Sequence, residues 1–90
     1  MRKSKLEMRV DILEILAHGP MKLTKLMHKV DLSENVLKQH LSFLVQQDLV
    51  EEQNLGKDAI FYVVTRRGLK VLYIVVPMIG EARKSQALIY

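Results

Sequence analysis

Residues 19–52 read GPMKLTKLMHKVDLSENVLKQHLSFLVQQDLVEE, and how this stretch divides decides how the chain folds. Gly19-Pro20 stops whatever helix precedes it. From about Leu23 to Val30, the residues Leu23, Leu26, Met27 and Val30 recur at helical spacing and form one apolar side. Lys22, Lys25 and Lys29 gather on the other side of the same short helix. Asp31-Leu32-Ser33 reads as a turn, with Ser33 as the N-cap of a longer helix from about Glu34 to Gln47. Asp48 closes that helix without a glycine.

Upstream, Ser4 followed by Glu7 is a capping-box pattern and predicts a helix from about Lys5 to His18. Leu6, Val10, Leu13 and Ala17 fall on one side of it, and Met8, Ile12 and Ile15 on the opposite side. Glu7, Asp11, Glu14 and His18 form a narrow polar stripe between them. Two apolar faces predict two packing partners. Downstream, Leu49 to Gln53 and Ala59 to Val64 are β-prone runs joined by Asn54-Leu55-Gly56-Lys57-Asp58, whose chemistry suits a hairpin turn. Thr65 can cap a last helix starting at Arg66, which Pro77 and Gly80 should kink or end. The expected class is mainly α with a β-hairpin, in a single domain: residues 1–65 form the main unit and residues 66–90 a C-terminal helical extension.

Composition narrows the function. Ninety residues bury only a modest fraction of their surface, which points toward an oligomer. The net charge of +4 favours an anionic partner. With no cysteine, disulfides, thiolate catalysis and cysteine metal sites are excluded. His18 and His28 have no ligand partner at metal spacing, so neither metal nor cofactor is expected. No nucleophile–base pairing, carboxylate pair or phosphate-binding glycine loop stands out, so the chain does not read as an enzyme. The start, MRKSKLEMRV, is basic and then amphipathic, unlike a signal peptide, and a cytoplasmic location is expected.

Three helices followed by a hairpin is the order of the winged helix-turn-helix. The residues LSENVLKQHLSFLVQQDLVEE (32–52) and VVTRRGLKVL (63–72) carry the resemblance. The chain resembles small archaeal winged-helix DNA-binding proteins, related in pattern to MarR-type and ArsR-type regulators, some of which dimerise through a C-terminal helix. In that family the step from strand into helix usually reads Thr-x-x-Gly, matched here by Thr65 and Gly68, and the position after the third helix is often glycine where this chain has Asp48.

The resemblance implies that the helix after Ser33 enters the major groove of double-stranded DNA. Its apolar arc is Val36, Leu37, Leu41, Phe43 and Leu44, with His40 at the centre as a core histidine. Asn35, Lys38, Gln39, Ser42 and Gln46 gather opposite, with Glu34 at the edge. Asparagine and glutamine pair bidentately with adenine, lysine with guanine or phosphate, and serine with several groups, so Ser33, Asn35, Lys38, Gln39 and Ser42 are the candidate readers. Lys22, Lys25 and Lys29 are candidate phosphate contacts on the preceding helix, with Lys57 at the wing tip. Glu51 and Glu52 on the wing strand weaken the case for a wing contact. Arg2, Lys3 and Lys5 form a basic start that could trail along a groove, and Arg66 with Arg67 could anchor a phosphate.

From Leu69 to Ile79 apolar residues point in every direction with Lys70 the only charge, so this helix needs burial all round. The run is too short for the roughly 20 residues of a spanning helix and contains Pro77, so no membrane contact is expected. A twofold homodimer built on Leu69, Leu72, Tyr73, Val75, Val76 and Ile79 satisfies the requirement. Three functions stay open at this point: a homodimeric transcriptional regulator, a non-specific DNA-compacting protein, and a winged-helix module whose C-terminal helix docks another protein.

Overall fold

The computed structural model describes residues 3–75 and Pro77. Three helices, α1 (Lys5–Leu16), α2 (Leu23–Val30) and α3 (Glu34–Gln46), precede a hairpin of β1 (Val50–Asn54) and β2 (Ile60–Val64), after which residues 66–75 and Pro77 are helical. The order is that expected, with boundaries shifted by one or two residues at the ends of α1, α3 and both strands. The expected break at Gly80 lies outside the described residues.

Local chemistry sets these limits. The Glu7 amide donates to Ser4 Oγ (3.1 Å) and the Val36 amide to Ser33 Oγ (3.4 Å), so each hydroxyl satisfies a donor that the first turn leaves open. Asp31 ends α2 in the left-handed conformation (φ 54°). At the end of α3, the Asp48 amide donates to the Val45 carbonyl and the Leu49 amide to the Leu44 carbonyl, a Schellman pattern with Asp48 left-handed at φ 58°. Asp48 therefore does the work of the glycine common at this place, since aspartate is one of the few side chains that tolerates this region.

The core is drawn from the three helices, β1 and the C-terminal helix, with Tyr62 and Val64 of β2 packed against it. Val10, Ile12, Leu13 and Leu16 of α1 meet Leu26, then Leu37, Leu41 and Leu44 of α3, Val50 of β1 and Leu72 of the C-terminal helix. Ile15, Leu23, Met27 and Val30 pack at the margin. Both apolar faces of α1 thus contribute to its own domain's core through Ile12 and Ile15 on one side and Val10 and Leu13 on the other. The two packing partners that the two faces call for are thus found, at least in part, within the same domain. Leu6, placed by sequence on a buried side, is exposed because it stands on the first turn, beyond the core.

The strands pair antiparallel with Val50 opposite Val64 and Asn54 opposite Ile60. The turn is held by Asn54 Oδ1, which accepts from the Gly56 amide at 3.3 Å. One rung escapes sequence analysis: Met21 and Tyr62 exchange both backbone hydrogen bonds (3.1 and 2.8 Å), which ties the segment before α2 to the wing.

Thr65 locks the last junction. Its Oγ1 donates to the Asp48 carbonyl (2.6 Å) and accepts from the Gly68 amide (3.0 Å), while its own amide donates to the Leu49 carbonyl (3.0 Å). A Cβ on Gly68 would stand 2.3 Å from the Leu49 carbonyl oxygen and 2.7 Å from Val64 Cγ2. The Thr-x-x-Gly step is thus a helix cap followed by the one residue that lets the helix backbone touch the end of α3.

The C-terminal helix has two distinct sides. Gly68 and Leu72 are buried, Leu72 with 8 % of its surface exposed, and Val75 packs against the core. Leu69, Tyr73 and Ile74 face away, exposed by 47, 85 and 64 %. Leu72 and Val75, taken from sequence as dimer residues, turn inward to their own domain, because an apolar stripe at i, i+4 and i+7 is what covers the open end of a small core. Val76 and Ile79 lie outside the described residues.

Candidate nucleic-acid interface

The inward side of α3 consists of Leu37, His40, Leu41 and Leu44, all buried. This leaves Asn35, Lys38, Gln39, Ser42 and Gln46 exposed together on the opposite side, as expected. Lys38 Nζ lies 3.4 Å from Glu34 Oε1, an exposed i,i+4 pair of the kind that contributes only tenths of a kcal/mol and yields readily to a stronger anion. Ser33 is exposed, but its Oγ is engaged as the helix cap.

On α2 the lysines Lys22, Lys25 and Lys29 are exposed, while Leu23, Leu26, Met27 and Val30 turn inward. Lys22 occupies the N-cap position, where it makes no capping bond, and its ammonium lies 5.5 Å from the centroid of the Phe61 ring on β2. Lys57 is exposed at the wing tip, away from the other candidates in the chain's turn. Arg66 and Arg67 are exposed at the start of the C-terminal helix. Val36 and Phe43, read from sequence as part of the inward arc, sit at the flank of α3 instead. At 100° per residue they lie about 90° and 110° from the centre of the buried side, and each is more than a third exposed.

Phe43 has a partner that sequence analysis missed. The Arg9 guanidinium carbon on α1 stands 3.6 Å from the Phe43 ring centroid, and Arg9 Nε donates to His40 Nδ1 at 3.3 Å. No local pattern reveals a pair 31 positions apart, and an arginine at the edge of an apolar face reads as solvated. His40 is a buried core histidine as expected. Its burial, followed by the nearby charges of Arg9 and Lys5, holds its pKa below the ordinary 6.5.

His40 makes folding pH-dependent with a definite sign. Between its folded pKa and 6.5 the unfolded chain binds the extra proton, so stability is complete above about pH 6.5 and declines as pH falls through that window. Urea unfolding of wild type should show this loss, at a slope no steeper than about 1.4 kcal/mol per pH unit, the limit for one proton. His40→Gln should flatten the decline. An identical acid slope in both proteins would assign it to other groups.

The acids of α1 lie elsewhere. Glu7, Asp11 and Glu14 occupy the side of α1 far from Arg9. Asp11 and Glu14 instead line a cleft together with Lys29 and Asp31 at the end of α2, while the polar face of α3 carries one acid of its own, Glu34. Among the described residues no group of three or more histidine or acidic side chains could hold a metal ion, and no helix is long and apolar enough to cross a membrane.

Three helices, a hairpin wing tied to the second helix, and a polar outer face on the third define a winged helix-turn-helix. A family model described as winged helix-turn-helix matches residues 2–82, and the chain belongs to that family. No curated protein matches the sequence. Among solved structures the chain is similar to AbsC, a MarR family transcriptional regulator from Streptomyces coelicolor, at 22% identity and a TM-score of 0.75, covering 84% of this chain and 55% of AbsC. It is similar to BpsR of Bordetella bronchiseptica, whose DNA binding is regulated by 6-hydroxynicotinic acid, at 14% identity and TM-score 0.78, covering 87% of this chain and 57% of BpsR. It is also similar to the transcriptional regulator YodB of B. subtilis in its reduced form, at 21% identity and TM-score 0.74, covering 91% of this chain and 92% of YodB. The chain thus spans little more than half the length of AbsC and BpsR. At these identities the likeness is one of fold.

Proposed function

We propose that this protein is a non-enzymatic, cytoplasmic transcriptional regulator that binds double-stranded DNA as a homodimer, with α3 in the major groove. The observation that carries the reading is the outer face of α3, where Asn35, Lys38, Gln39, Ser42 and Gln46 stand exposed together with no acid among them. These are the side chains whose donors and acceptors match base edges, on the helix that this fold presents to the groove. Lys22, Lys25 and Lys29 supply phosphate contacts from α2, with Lys57 as an outlying contact from the wing.

The dimer rests on the outer side of the C-terminal helix. Leu69 and Tyr73 border an open cleft of about 640 Å³ shared with Ala17 and His18 at the end of α1. A second copy laid along this stripe would cover Leu69, Tyr73 and Ile74 on both subunits through one self-complementary contact.

The direct test is a fluorescence-anisotropy titration of duplex DNA with wild type and with Lys38→Ala, Gln39→Ala. Each lost base or phosphate contact is worth about 1–3 kcal/mol, so the double variant should bind at least about tenfold more weakly with its fold intact. Unchanged affinity would remove α3 from the interface.

A further inference from the structure

Arg9 is the one strongly basic group of α1 that the structure fixes in place against α3. Its Nε donates to His40 Nδ1, which sets His40 as the neutral tautomer with its proton on Nε2, and its guanidinium plane lies over Phe43. Neither partner carries a negative charge, and among the described residues Arg9 forms no ion pair. A guanidinium has five N–H donors, of which this arrangement commits one. The full charge is therefore held against an imidazole and a benzene ring, with its other donors directed to no carboxylate. Lys5, one turn earlier on the same helix, is exposed and adds a second positive charge.

The place of Phe43 gives this charge a target. Phe43 is one turn beyond Gln39 and three residues before Gln46, and 36 % of its surface is exposed, so it forms the border between the buried and the polar sides of α3. Arg9, stacked on that border, stands at the flank of the helix. A helix in the major groove has bases before it and a sugar–phosphate strand along each flank, so a cation there meets phosphate oxygens. Stacking and the hydrogen bond to His40 already restrict the side chain, so it gives up little freedom when an oxyanion is bound.

We propose that Arg9 is a phosphate-contacting residue of the DNA interface, held in place at the flank of α3 by His40 and Phe43. The inference rests on the reading of α3 as the helix that enters the groove. It adds a contact from α1 that neither the spacing of the sequence nor the usual positions on α2 indicate.

Counterion release separates this role from mere packing, because each phosphate neutralised contributes about 0.9 to the slope of log Kobs against log salt. Duplex binding is measured by anisotropy at a series of salt concentrations for wild type, Arg9→Gln and Arg9→Lys, with thermal midpoints recorded alongside. Arg9→Gln should reduce the magnitude of the slope by about 0.9 and Arg9→Lys should restore most of it. A weaker affinity with an unchanged slope in Arg9→Gln would overturn the proposal and leave Arg9 a packing residue. Absence of binding by wild type at any salt would overturn the DNA reading itself. Should Arg9→Gln fail to fold, the Arg9 Nε–H resonance of wild type decides the question: it should shift on addition of duplex, and a resonance that stays put overturns the assignment.

Discussion

Gly68→Ala is expected to lower the thermal midpoint of this protein by roughly 10–20 °C. On helix propensity alone alanine should stabilise, since glycine in a helix interior costs about 1 kcal/mol relative to alanine. The steric term opposes this and is larger. The new methyl would stand 2.3 Å from the Leu49 carbonyl oxygen and 2.7 Å from Val64 Cγ2, and the first of these is backbone. The Leu49 carbonyl cannot retreat freely, because it accepts from the Thr65 amide while Leu49 closes the end of α3. Overpacking usually costs about 1–3 kcal/mol and more where backbone must move, as here. A cost of about 3–4 kcal/mol, less the roughly 1 kcal/mol of helix propensity, leaves about 2–3 kcal/mol, which for a domain of this size corresponds to the stated drop in midpoint. A circular-dichroism melt reads it directly. A variant as stable as wild type would mean that the C-terminal helix does not seat against β1 and α3 as described.

Tyr73→Glu combined with Ile74→Glu is expected to convert a dimer into a folded monomer and to weaken DNA binding by about a hundredfold. Both side chains face away from the core, so charging them leaves the domain's interior untouched, in contrast to Val75, whose replacement by aspartate would strike the fold. In the proposed dimer the two glutamates would meet their symmetry copies in an apolar contact, where like charges cannot be solvated. DNA affinity follows because the second half-site is engaged at high effective concentration only while the subunits stay joined, an advantage on the order of 10²–10⁴. Sedimentation equilibrium and anisotropy on the same preparation test both halves. A variant that remains dimeric would move the interface away from this stripe.

The sequence carried the helix-turn-helix well, and particular residues show why. Leu26 and its neighbours, the Asp31-Leu32-Ser33 turn and the cap on Val36 are local signals, each written within a few positions, and α2 falls where its periodicity places it. The polar face of α3 was legible for the same reason, being the complement of a buried stripe at helical spacing. What was not legible depends on contacts between distant segments. Met21 pairs with Tyr62 through backbone bonds that leave no mark on side-chain pattern. Arg9 reaches His40 and Phe43 only because α1 crosses α3. The C-terminal helix is apolar all round, so periodicity is silent about which side faces inward, and the close approach of Gly68 to Leu49 is what turns Leu72 and Val75 to the core and Tyr73 to the outside.

The central claim, that this fold binds duplex DNA through a basic and polar face, is tested most directly by titrating wild-type protein into a labelled random-sequence duplex at two salt concentrations. Binding that is clear at low salt and falls steeply as salt rises, by counterion release from several phosphates, is the predicted result. No binding at low salt, where electrostatic attraction is strongest, would contradict the account and leave the exposed face of the C-terminal helix as a site for a protein partner.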